Sequence, residues 1–108
     1  MAYSRSRIFI AIDQLLSTHP YLTLPEIAKF IKCSHPTIQK AIFAETGLRF
    51  REHRKIKMFY KILVSIEEGL SAKEIASAVG YKWPEHLARF VKSSTGRSLR
   101  ELRGQPHV

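Results

Sequence analysis

Glu26-Ile27-Ala28 and Glu74-Ile75-Ala76 open two stretches of the chain that run in register. With one written above the other, Ile31 falls over Val79, Ile38 over Leu87, Ile42 over Val91, and Thr46-Gly47 over Thr95-Gly96. The offset is 48 residues at the start and 49 at the end, so the second copy carries one extra residue in its turn. One supersecondary unit present twice accounts for such a pattern.

Each copy reads as helix, tight turn, helix. Thr23-Leu24-Pro25-Glu26 has the form of a capping box, in which the threonine accepts from the amide three residues on and the glutamate reaches back. Pro25 falls in the first turn, where its missing N–H costs nothing. Ile27, Phe30 and Ile31 share a face at spacings of three and four, with the small Ala28 beside them. Ser34 caps the next helix, Pro36 lies in its first turn, Ile38, Ala41 and Ile42 form its inner stripe, and Gly47 stops it. In the second copy Ser71-Ala72-Lys73-Glu74 is another capping box, Ile75, Ala76 and Val79 supply the inner face, and Gly80 fits the turn. Pro84 opens a helix with Leu87 and Phe90 or Val91 inward that ends at Gly96. A third box, Ser98-Leu99-Arg100-Glu101, starts a short last helix ending near Gly104.

Two further helices complete the count. Residues 6–17 carry Ile8, Ile12, Leu15 and Leu16 on one face, and His19-Pro20 ends them. Between the copies, Ile56, Phe59 or Tyr60, Leu63 and Ile66 recur at helical spacing in a segment that starts basic (Arg49, Arg51, Arg54, Lys55, Lys57, Lys61) and ends at Glu67-Glu68. No stretch alternates at period two. The expected fold is all-α: seven helices forming two helix–turn–helix subdomains, residues 1–49 and 69–108, joined by a long linker helix over 50–68.

Composition narrows the function. The 108 residues hold 18 Lys and Arg against 9 Asp and Glu, a net charge of +9 that makes a polyanion the expected partner. A single cysteine, Cys33, excludes a disulfide scaffold, and it reads as a small packed residue beside the first turn. The five histidines, His19, His35, His53, His86 and His107, show no i, i+4 pair, so neither a metal nor a cofactor is expected. There is no Gly-rich phosphate loop, carboxylate pair or Ser/His/Asp arrangement to support an enzyme. No apolar run approaches the ~20 residues of a membrane span, and the basic start at Met1–Arg7 is followed by too short an apolar stretch for a signal peptide. A cytoplasmic protein is expected.

In a helix–turn–helix the second helix enters a major groove while the first braces across the backbone. The geometry needs a small residue at the helix crossing, a tight turn, and outward polar side chains early in the second helix. Ala28 and Ala76 meet the first need and Gly80 the second, whereas Lys32 stands in the place of that glycine in the first copy.

These residues resemble the DNA-binding domain of AraC/XylS-type transcriptional regulators. The matching positions are Glu26-Ile27-Ala28, Ser34, Gln39-Lys40, Thr46-Gly47-Leu48, Phe50, Glu74-Ile75-Ala76, Val79-Gly80-Tyr81, Arg89, Lys92, Gly96, Ser98 and Arg103, about three quarters of the chain. The sequence departs from the family's pattern at Ile42, Leu87, Val91, Leu99 and Leu102, and Lys57 is the nearest candidate for its usual linker-helix arginine. Trp83 occupies a position where the family usually has a small polar N-cap. The resemblance implies two recognition helices in successive major grooves of double-stranded DNA.

Carried over by position, the base-reading candidates are Pro36, Gln39 and Lys40, with His35 and Thr37 nearby, and then Glu85, His86 and Arg89, with Lys82 and Lys92 placed for phosphates. Their chemistry fits: Gln39 matches adenine, Lys40 and Arg89 match guanine N7 and O6, Glu85 accepts from cytosine N4, and Pro36 offers apolar contact to a thymine methyl. The linker's basic run and the helix starts at Ser34, Pro84 and Ser98 are further phosphate candidates. Phe90 reads as a flank of the core. The expected function is a sequence-specific transcription regulator, monomeric on DNA, with RNA polymerase a second candidate partner and no small-molecule ligand within the chain. The competing class is a basic helical adaptor for protein or RNA. Such regulators usually carry an effector-binding or dimerising domain, for which 108 residues leave no room, so the chain is either a stand-alone regulator or the C-terminal piece of a longer one.

Overall fold

Seven helices follow one another without a strand among the described residues, 4–104, of a computed structural model. They are α1 (Arg5–Thr18), α2 (Leu24–Ile31), α3 (His35–Thr46), α4 (Phe50–Glu67), α5 (Ala72–Ala78), α6 (Pro84–Thr95) and α7 (Leu99–Arg103). Met1–Tyr3 of the basic start and His107 lie outside the described residues. Contacts group the chain into two compact units that meet within α4, between Met58 and Phe59.

Local chemistry sets the helix ends. Full capping boxes form at Thr23/Glu26, Ser71/Glu74 and Ser98/Glu101, and the Ser34 hydroxyl accepts from the Thr37 amide at 3.3 Å. Helices α3 and α6 also end alike. Thr46 Oγ1 donates to the Ile42 carbonyl and accepts from the Leu48 amide, and Thr95 Oγ1 does the same with Val91 and Arg97. The glycine that follows each, Gly47 or Gly96, takes a left-handed φ of 71° or 75°.

In the first unit α1 packs against α2 and α3, and α2 against α3. Ile8, Ile12, Leu16, Leu22, Ile27, Ile38, Ala41, Ile42 and Phe50 form its core, and Cys33 packs at the edge as expected. In the second unit α5 packs on α6 and α6 on α7, and Ile75, Ala76, Val79, Leu87, Val91 and Leu99 are buried.

Two sequence-based expectations are corrected. Phe30 does not share the inner face of α2 but is 67% exposed, because Ile27 alone of that helix is fully enclosed and Ile31 lies at the core's edge. On α4 the buried side chains are Phe50, His53, Met58, Ile62 and Ser65, while Ile56, Tyr60 and Leu63 are exposed. Eight apolar residues between Ile56 and Ile66 satisfy several helical registers at once, and periodicity could not rank them. Ser65 is accommodated by donating to the Lys61 carbonyl at 2.8 Å.

Candidate nucleic-acid interface

In the first unit the turn between α2 and α3 sets the position of α3. Lys32 takes φ 56°, ψ 45° and its amide bonds the Ala28 carbonyl, which also accepts from Cys33 at 3.3 Å. Beyond it, His35, Pro36, Thr37, Gln39 and Lys40 are all exposed, while Ile38, Ala41 and Ile42 have no accessible surface. Thr37 is tied to the cap, its hydroxyl 2.8 Å from that of Ser34, so Gln39 and Lys40 are the freer polar groups.

A shallow groove of about 620 Å³ runs beside this face, lined by Arg5, Pro36, Gln39, Lys40, Phe43, Ala44 and Arg49. Pro36, Gln39 and Lys40 therefore share one surface. Three of its members escaped sequence reasoning: Arg5, Phe43 and Ala44. Phe43, 61% exposed, was legible as the i+3 and i+4 neighbour of Lys40 and Gln39 on the outer face. Arg5 reaches the groove because α1 packs on α3, and a hydrogen bond from Ser6 Oγ to Glu45 Oε1 at 2.9 Å joins the two helices. That contact spans 39 residues, beyond any local pattern.

The second unit repeats the arrangement. The Tyr81 amide donates to the Ala76 carbonyl at 2.8 Å, and Gly80, at φ 86°, stands where Lys32 stands in the first. Lys82, Glu85, His86, Arg89 and Lys92 are exposed, while Leu87 and Val91 are enclosed. Phe90 is half-buried on the flank, its ring 6.2 Å from that of Tyr81. The Lys92 ammonium lies 3.1 Å from the Gly96 carbonyl, where it caps its own helix. Lys82 lies over the Trp83 ring, 5.5 Å from its centre.

The basic run on α4 divides by role. Arg54 donates through Nε to the Pro20 carbonyl at 3.0 Å and through a terminal nitrogen to that of Tyr21 at 2.9 Å. Lys57 pairs with Asp13 at 3.0 Å, on the carboxylate oxygen that also lies 3.3 Å from His53 Nε2. Burial holds the His53 imidazole below its ordinary pKa against the pull of Asp13. Arg49, Arg51 and Lys55 remain exposed. No group of three potential metal ligands occurs among the described residues, and no helix there is long and apolar enough to cross a membrane.

Solved structures match this architecture. The C-terminal domain of AraT, a response regulator from Geobacillus stearothermophilus, aligns over 98% of this chain and 91% of its own with a TM-score of 0.80, at 23% identity. The C-terminal domain of the two-component response regulator yesN from Fusobacterium nucleatum aligns over 90% of this chain and 95% of its own with a TM-score of 0.72, at 17% identity. The chain has the fold of these response-regulator domains. Seven helices in two helix–turn–helix pairs are also what the AraC/XylS resemblance implies. No protein-family model and no curated protein matches the sequence.

Proposed function

We propose that the chain is a sequence-specific regulator of transcription that binds double-stranded DNA as a monomer, with α3 and α6 each reading one major-groove segment. The observation that carries this reading is the division of α3 and of α6 with the turn before it: all ten candidate residues are exposed, whereas Ile38, Ala41, Ile42, Leu87 and Val91 are enclosed. An α-helix fits a major groove ~12 Å wide, and on this reading α2 and α5 brace across the backbone. On this reading Gln39, Lys40, Glu85 and Arg89 meet base edges, and Pro36 offers apolar contact. His35, Thr37 and His86 flank them, and Lys82 and Lys92 lie near phosphates. The subdomains 1–49 and 69–108 act as two readers on one tether, the helix over 50–68. Charge supports both readers: residues 1–49 hold six Lys and Arg against three Asp and Glu, and residues 69–108 seven against three.

Selection of bound duplexes from a random pool tests the proposal. Two readers on one chain predict an asymmetric site of roughly 20 bp with two blocks about 10 bp apart. A palindrome, a single block or no enrichment overturns it.

A further inference from the structure

Four helices of this chain, α2, α3, α5 and α7, begin with a serine or threonine whose hydroxyl accepts the amide three residues on. Helix α6 lacks such a cap, as does α1, but where α1 has a serine at that position, Ser4, α6 has Trp83. Trp83 holds the same extended backbone, φ −122° and ψ 137°, but makes no side-chain cap, and the His86 amide bonds the Trp83 carbonyl at 3.1 Å instead. An indole has only a donor, so it cannot replace the missing hydroxyl. The side chain does not serve the core either, since it is 52% exposed. The segment beneath it is well supported: the Tyr81 ring meets His86 nearly edge-on at 6.5 Å and Phe90 at 6.2 Å. A large aromatic with a lysine over its ring thus stands at the leading end of α6, where a smaller residue would hold the helix better.

Both polar groups of this pair, the Lys82 ammonium and the indole N–H, are donors without acceptor capacity. Their complement is a surface rich in acceptors and negative charge. We propose that Lys82 and Trp83 form a sugar–phosphate contact on duplex DNA, the two donors meeting phosphate oxygens of one strand while the indole face covers the adjoining deoxyribose. Contacts of this kind set register and depth and carry no sequence information. Trp83 is then a positioning residue for α6, and the lost cap is the cost of placing it there. The inference rests on the reading of α6 as a helix that faces DNA.

Trp83 is the sole tryptophan, so its emission reports directly on the contact. Titration of the full chain with a mixed-sequence duplex three helical turns long, at low salt, should shift or quench that emission in step with the anisotropy of a labelled duplex. Trp83→Ser restores a cap and should raise the melting temperature by about 4–8 °C. The same variant should weaken binding about tenfold on every duplex alike. Trp83→Phe keeps the ring and loses the N–H, so it should fall between the two and serves should Trp83→Ser not fold. Lys82→Ala should lower the salt slope by about one. A Trp83→Ser protein that binds as tightly as the wild type overturns the proposal. So does emission that stays constant while anisotropy reports saturation. If the wild type binds no duplex at all, the reading of α6 falls with it, whereas normal binding without a Trp83 effect removes this inference alone.

Discussion

Lys32 closes α2 in the left-handed conformation, at φ 56°, by donating its amide to the carbonyl of Ala28. Gly80, 48 residues on, holds the equivalent turn at φ 86°. Lys32 is the one non-glycine residue with positive φ among those described, and its Cβ crowds the neighbouring carbonyl in that conformation. Both turns thus need a positive φ at the matching position, and only the second has the residue suited to it. Lys32→Gly should therefore stabilise the first unit by about 0.5–1 kcal/mol, the relief of strain being partly offset by the greater freedom of unfolded glycine. Urea denaturation measures the difference, and an equal or lower midpoint would show that the lysine is not strained.

The capping boxes give an acid limb to stability. Backbone and hydroxyl hydrogen bonds from Thr23, Ser71 and Ser98 hold the Glu26, Glu74 and Glu101 carboxyls below the usual carboxylate pKa. The unfolded chain therefore takes up these protons first as pH falls. The contribution is complete above the ordinary carboxylate range and disappears as pH drops through the lower folded values. Glu74→Gln, which removes one titrating group while keeping an amide oxygen for the Ser71 amide, should flatten that limb in melts recorded down the acid range. An unchanged acid limb would mean that the glutamate is not held in its charged form.

Such boxes were legible because donor and acceptor lie three residues apart, and the duplication was legible because it repeats them. What escaped depends on distant partners. His53 carries a polar ring and no local signal of burial, yet it is buried on α4 against Phe9 of α1, the ring centres 5.4 Å apart. Arg54 belongs by composition to a basic run, and only the chain's return at Pro20 and Tyr21 turns it into an internal clasp. Candidate reading residues were legible as far as they lie on one helix, from Pro36 to Lys40. Arg5 was missed because a different helix brings it to the same groove.

The buried His53 makes the first unit sensitive to mild acid. Burial lowers its pKa in the folded state, so below the ordinary histidine value the unfolded chain binds the proton more readily. Stability should thus be full above pH about 6.5 and decline as pH falls toward the lower folded value. His53→Phe keeps the ring against Phe9 and leaves Asp13 its pairing with Lys57, so it should abolish that decline. Denaturation midpoints of both proteins across the interval decide the matter: parallel curves would place the dependence elsewhere.

Base reading and backbone contact have different signatures, and two exposed cations on separate elements can tell them apart. Arg89 lies on the outer face of α6, and Lys55 on the solvent side of α4. Arg89→Ala should cost roughly 1–3 kcal/mol on the selected site and relax discrimination at a single position. Lys55→Ala should weaken binding evenly across sequences and reduce the salt slope by about one. If six to eight phosphates are engaged, that slope in the wild type should be about −5 to −7 for log K against log salt. Mobility-shift titrations over a salt series supply all three quantities. An Arg89→Ala protein weakened equally on every sequence would move this side chain from the bases to the phosphates, and a slope near zero would remove the polyanion from the account altogether.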